Sequence, residues 1–294
     1  MACYPRGEVA LTRDMWPATL PVLGSDDRAL ADLPPAEIVP QKYADVLDWA
    51  VVVRNPDDKE RVFRHILVHV SLGPNGPSAI NEVTVRVQGF VSRLNLHPLG
   101  DWNPNSGTGG APSAKQHIHL VHCGHPHPFQ HAVDALVNLA EVVAANCNGE
   151  LCHKLKATTT CIRLERPVFR RGHPDESVQS VLVPSDDLTG KAKLLEPRWY
   201  LKTKLNVREQ LNGKLLPRNH SIIKVGDFVD VAVVLHIHKL PPMRSPKVRV
   251  EFSMTDIVLL QSRSELFTRP TKRPRDPPQQ RTVEGDVSMA SDQH

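Results

Sequence analysis

The longest alternating run of the chain, KVRVEFSMTDIVLLQ at 247–261, sets Val248, Val250, Phe252 and Met254 against Arg249, Glu251, Ser253 and Thr255. Successive strand side chains point to opposite faces, so this run predicts a half-buried strand. Before it, IIKVGDFVDVAVVLHIHKL (222–240) places Val229, Val231, Val233, Leu235 and Ile237 on one face, and PPMRSP (241–246) between the two runs predicts a β-hairpin. Further strands are predicted within 61–72, 81–91 and 156–169, and a basic, aromatic one at 198–209; ADVLDWAVVV reads as a strand or a helix–strand transition. The helical period is clearest in FQHAVDALVNLAEVVAAN (129–146). There Phe129, Val133, Leu136, Val137, Ala140, Val143 and Ala144 share a stripe opposite His131, Asp134, Asn138 and Glu141. Pro128 suits the first turn of that helix, and Asn148-Gly149 ends it.

Punctuation divides the chain. Residues 1–44, rich in Pro, Asp and Ala, read as an extended N-terminal arm with one short helix near 27–32. An α+β region follows over 45–170, then a linker over 171–195, a β-rich unit over 196–262, and a disordered tail over 263–294 that is basic and then acidic. The fold class is thus mainly β with some helix (α+β). The Gly/Ser/Pro-rich loop 98–116 has no Gly-Lys-Ser/Thr and opens no helix, so it is not a phosphate loop.

Charge changes this picture. Residues 1–195 carry 19 Lys/Arg against 21 Asp/Glu, whereas 196–262 carry 11 against 6. A basic segment in an otherwise balanced chain points to an anionic partner. Aromatics make up 5% of the chain, so base-stacking positions are few. No apolar run approaches 18 residues and MACYPRGEVALTRD has no apolar h-region, so neither a membrane span nor a secretory leader is expected. The five cysteines are then expected as reduced thiols.

The candidate chemistry centres on HIHLVHCGHPHPFQH (117–131). One reading is a structural zinc drawing on Cys123, His125 and His127 before the helix and Cys147, Cys152 and His153 after it. The spacing matches no zinc pattern, so no cofactor is the preferred expectation. The other reading is strand alternation, with His117 and His119 outward and Ile118 and Leu120 inward. His65 and His69, and His236 and His238, repeat that habit. The two His–hydrophobe–His tripeptides also resemble the metal motif of HUH-type nicking endonucleases, which implies a tyrosine nucleophile. Tyr200 would fill that role, although its segment is strand-like. No Gly-x-Ser-x-Gly, His-Glu-x-x-His or kinase set is present.

The hairpin strands IIKVGDFVDVAVVLHIHK and KVRVEFSMTDIVLL, with the basic residues around them, resemble the OB-fold, the five-stranded Greek-key barrel of single-stranded DNA-binding proteins. The resemblance covers 196–262 and is one of strand pattern. It implies an OB-like barrel in the C-terminal half and non-enzymatic binding of single-stranded nucleic acid, DNA or RNA with DNA favoured. Candidate contacts are Arg198, Trp199, Tyr200, Lys202, Lys204, Arg208, His236, His238, Lys239, Arg244, Lys247 and Arg249. A binding groove of this kind needs cations along the phosphates and rings for the bases. The rival expectations are the nicking enzyme and a β-domain that docks a protein. Lys272, Arg273 and Arg275 in the tail read as a nuclear-import signal.

Overall fold

The computed structural model describes residues 2–8, 10–23, 33–55, 64–70, 82–153, 160–171, 185–187, 189–195, 198–201, 204–240 and 246–268. The first half contains β1 (Ala2–Pro5), β2 (Ile38–Val39), α1 (Tyr43–Trp49), β3 (Ala50–Arg54), β4 (Arg64–His69), β5 (Thr84–Asn95), β6 (Lys115–Val121) and α2 (Pro126–Asn146). The second half contains β7 (Glu150–Leu151), β8 (Cys161–Pro167), β9 (Phe169–Arg171), β10 (Trp199–Leu201), β11 (Asn206–Leu211), β12 (Lys214–Pro217), β13 (Phe228–Leu240), β14 (Lys247–Gln261) and α3 (Arg263–Thr268).

The expected hairpin is present. β13 and β14 pair antiparallel from Phe228/Gln261 to Leu240/Lys247, with an irregularity between Ala232 and Val233. These strands do not form a unit with 196–262 alone. β13 also pairs antiparallel with β5, and β14 meets β8 in parallel at Ser253 and Glu165. With β6 between β5 and β8, the pairing runs β5–β6–β8–β14–β13 and returns to β5. The sheet continues beyond this circuit through β11 and β12 on one side and β4 and β3 on the other. It is therefore a mixed twelve-stranded sheet, and it does not close as a regular barrel.

Alternation explains why these segments are strands. In β6, Gln116, Ile118 and Leu120 are buried while Lys115, His117, His119 and Val121 are half-exposed. Val85 and Val87 of β5 face Val233 and Val231 of β13 in the core. The helix begins three residues earlier than its apolar stripe predicts. Pro126 and Pro128 both lie in its first turn, where a missing N–H costs no intrahelical bond. Its end is as expected: Asn148 takes the left-handed conformation at φ 50°, and Gly149 N–H donates to the Ala144 carbonyl at 3.0 Å. Phe129, Val133, Leu136, Leu139 and Val143 bury the inner stripe in the main core.

The N-terminal segment is not a free arm. β1 pairs in parallel with β5, and Cys3, Trp16, Leu20 and Leu23 are buried in the same core. Trp16 packs edge-on against Phe228 at 4.9 Å between ring centres. Burial pushes the Cys3 thiol up to about 12, which leaves it protonated and unreactive. This segment covers the second face of β5, where Arg86 and Gln88 are also buried. The helix expected near 27–32 and the tail from 269 onward lie outside the described residues. Among the described residues, no helix is long and apolar enough to cross a membrane.

A smaller core joins Leu99, Trp102, Ala114, Val168, Phe169 and Leu195, with Trp199 and Leu201 packed on it. The Gly/Ser/Pro-rich loop after β5 contains two short 3-10 turns (Pro104–Gly109 and Ala111–Ser113) and is anchored by this core. Its entry depends on Gly100, at φ +58°, where an added Cβ would lie 2.3 Å from the Lys115 carbonyl oxygen. Gly100→Ala is therefore expected to destabilise the protein by about 1–3 kcal/mol, combining left-handed strain with overpacking. Urea denaturation measures this directly, and a wild-type midpoint would contradict it.

Candidate nucleic-acid interface

The outward faces of the circuit strands carry polar rows that cross from β5 through β6 to β8 and resume on the distal half of the hairpin. Arg93 of β5 stands opposite His119 of β6, which stands opposite Arg163 of β8. In the adjacent row Asn95, His117 and Glu165 are aligned, and Glu165 pairs with Ser253 of β14, which is buried. On the hairpin, His236 faces Glu251 and His238 faces Arg249. At about 4.8 Å per strand, the stretch from β5 across β6 and β8 to β14 is roughly 14 Å wide.

Its electrostatics are mixed. Lys115 Nζ lies 2.6 Å from Glu165 Oε2 and 3.9 Å from Glu251 Oε1, and Arg163 pairs with Glu165. Arg93 and Arg249 are exposed and form no salt bridge among the described residues. The His117 and His119 rings lie 5.5 Å apart. Burial lowers both pKa values from the ordinary histidine value, and Arg93 and Arg163 lower both further. At neutral pH both rings are uncharged, partly exposed and able to stack or to donate one hydrogen bond.

Several contacts expected from the basic 196–262 segment are placed elsewhere. Arg208 donates to both oxygens of Asp256, at 3.0 and 2.5 Å, and is part of an internal network. Lys204 Nζ is 2.6 Å from Asp186 Oδ2. Trp199 packs on the smaller core rather than presenting a stacking face. Tyr200 lies under the Arg170 guanidinium, 4.3 Å from the ring centre, and Arg198 is exposed just ahead of β10. Of the predicted set, His236, His238 and Arg249 share the outward face, while Lys239 and Lys247 are exposed at the hairpin's distal end. His238 Nε2 lies 3.8 Å from Glu251 Oε2. Lys202 and Arg244 lie outside the described residues, as do Lys272, Arg273 and Arg275. The sequence reading missed Arg93, Lys115 and Arg163. The signal for Lys115 and Arg163 was present in the alternation of 115–121 and 161–167, which sets them beside the outward histidines, whereas Arg93 follows a register irregularity at 91–93 that simple alternation does not show.

The zinc candidates are not brought together. Cys123, His125 and His127 precede or open α2, whereas Cys147, Cys152 and His153 follow it. A 21-residue helix separates the groups by roughly 30 Å at 1.5 Å per residue. Among the described residues, no three His, Cys, Asp or Glu side chains are grouped to hold a metal. The nicking geometry is not assembled either: Tyr200 sits on a strand, in a two-stranded sheet separate from the one that carries both histidine pairs.

No family model and no curated protein matches the chain. Among solved structures it is similar to gp2.5, a single-stranded DNA-binding protein encoded by bacteriophage T7. That likeness has 13% identity, covers 60% of this chain and 91% of that one, and has a TM-score of 0.37. It is also similar to a C-terminally truncated single-stranded DNA-binding protein from bacteriophage Enc34, with 13% identity, coverage of 60% and 86%, and a TM-score of 0.30. Overlaps of this size say nothing about ligand, which has to be argued from the surface.

Proposed function

We propose that the chain binds single-stranded DNA, without catalysis, across the outward face of β5, β6, β8, β14 and β13. The observation that carries this reading is the Arg93–His119–Arg163 row beside Asn95–His117, which sets cations and flat rings side by side on adjacent strands. Arginines hold phosphates, and imidazole rings offer a sequence-tolerant stacking surface for bases. The five-strand circuit, joined through the single Ser253/Glu165 pair between β8 and β14, is read as a partly open OB-like barrel in which β6 and β8 supply the centre of the binding face. The barrel read this way draws on both halves of the chain. Nuclear residence is proposed from Lys272, Arg273 and Arg275 in the sequence alone.

The test is fluorescence anisotropy of a labelled oligothymidylate titrated with the full chain at several salt concentrations, with duplex and RNA of equal length as comparisons. Binding that weakens steeply with salt and favours single-stranded DNA is expected. No binding at low salt refutes the reading.

The histidines add a pH dependence. A phosphate beside His117 or His119 favours the protonated ring, so the bound pKa exceeds the lowered free value. Affinity is therefore expected to rise as pH falls below the ordinary histidine value of about 6.5. Substituting both histidines by asparagine should flatten the profile between about pH 5.5 and 7.5. An unchanged slope would remove them from the interface.

A further inference from the structure

One ring nitrogen in the second turn of α2 is left without a role by the fold and by the proposed face. His131 Nε2 is buried and has no hydrogen-bond partner among the described residues. As N–H it is an unmet donor and as a bare nitrogen an unmet acceptor, so either tautomer carries the cost of a hydrogen bond not made. Four residues earlier, on the same helix face, stands His127. The two rings lie 4.9 Å apart between centres and meet edge-on, with 73° between their planes.

That separation is the one a shared metal ion sets. With metal–nitrogen bonds of about 2.1 Å and a nitrogen roughly 1.1 Å from its ring centre, two imidazoles at about 90–110° on one ion have centres roughly 4.6–5.3 Å apart. The stretch HPFQH places the imidazoles at i and i+4, the helical spacing by which two histidines grip one transition ion. His127 is exposed, so its ring reorients within ps–ns and can turn a nitrogen toward the site. Local charge permits a cation, since α2 carries Asp134 and Glu141 and no Lys or Arg. Asp134 stands three residues after His131, but its Oδ1 accepts from Gln130 Nε2 at 2.8 Å. The positive end of the helix dipole opposes a cation beside His127, an effect that fades within the first turn. The strand pair His117 and His119 is a poorer chelate, because its rings are 5.5 Å apart and Arg93 and Arg163 flank His119.

We propose that His127 and His131 bind one divalent transition ion through two imidazole nitrogens, with water in the remaining positions. Imidazole ligands favour copper, nickel and zinc ions, whereas magnesium and calcium take oxygen ligands. The zinc set expected from the sequence drew on both ends of α2; this pair needs only the first two turns. The ion ties those turns together and satisfies the buried nitrogen. Because the unfolded chain does not hold the two rings in register, binding stabilises the fold. The site is independent of the single-stranded DNA reading.

The experiment is calorimetric titration of the full chain with nickel chloride, repeated with magnesium chloride, together with urea unfolding in the presence and absence of nickel. The chain should take up nickel and not magnesium, and nickel should raise the urea midpoint. His127→Asn and His131→Asn should each weaken the tightest nickel site by about tenfold or more, because the second bond of a chelate forms at high effective concentration. Each should also abolish the midpoint shift. His127 is exposed, so its variant carries the test if His131→Asn does not fold. The double variant His117→Asn with His119→Asn should bind nickel as the wild type does. No nickel uptake, a tightest site unchanged in His127→Asn, or a site lost only in the His117 and His119 double variant overturns the proposal.

Discussion

Asp230→Ala is expected to destabilise the fold by about 3–5 kcal/mol, the cost of removing one member of a buried ion pair. Asp230 is fully buried and accepts from Arg86 Nε at 2.5 Å and from Gln88 Nε2 at 3.1 Å. Arg86 Nη2 also reaches Asp256 Oδ2 at 3.3 Å, and Asp256 in turn accepts from Arg208 and, at 2.7 Å, from Asn206. The network thereby ties β5, β13, β14 and β11 together through side chains. Burial pushes the Asp230 carboxyl up even with Arg86 beside it. Arg86 loses from burial but is pushed up overall by Asp230 and Asp256. The guanidinium keeps its proton, and its charge beside the carboxylate, with the Arg86 and Gln88 hydrogen bonds, opposes the upward push of burial on Asp230.

Truncating Asp230 leaves Arg86 with a single, longer carboxylate contact and little water. The control is the double variant Arg86→Met with Asp230→Leu, which removes both charges and keeps apolar volume. It should cost well under the sum of the single losses, since no buried charge is left uncompensated. Urea unfolding followed by circular dichroism measures all of these. A loss below about 1 kcal/mol for Asp230→Ala would mean that water reaches the site and that the pair is not buried in solution.

That network was invisible in the sequence for a definite reason. Alternation in 81–91 sets Arg86 and Gln88 opposite Val85 and Val87, which reads as a solvent face. What covers that face is the segment after β1, whose Trp16 packs on Phe90 and Phe228, drawn from a stretch whose scattered apolar residues suggested an arm. Alternation identifies which residues share a face, but not whether a distant segment covers it. The same limit applies to the hairpin. Its strands were legible from period and turn, whereas their outer partners, β5 and β8, lie far away in sequence and leave no local trace. Net charge misled in a related way. The basic excess of 196–262 is partly absorbed by Asp256, Asp186 and Glu209, so cations dense in sequence are not the cations open to a ligand. The outward histidines of 117–119, by contrast, followed from alternation alone and lie where it set them.

Arg93→Ala combined with Arg163→Ala is expected to weaken oligothymidylate binding by about tenfold or more and to flatten its salt dependence. Each phosphate contact to a single strand contributes about 0.7 to the slope of log affinity against log salt, so two lost contacts should reduce it by about 1.4. Both side chains are exposed and stand on either side of His119, so their removal should leave stability close to wild type. Arg163 gives up its pairing with Glu165, an exposed contact of small worth. The matched control is Lys214→Ala with Lys224→Ala, which removes the same charge from exposed positions in the basic segment but off the proposed face. If binding depended on overall charge alone, the two double variants would lose equally. If it depends on the face, the control should stay within about twofold, since distant charges are screened beyond roughly 10 Å at 0.1 M salt. Equal losses, or a larger loss in the control, would move the interface away from β5, β6 and β8 and return it to the basic segment.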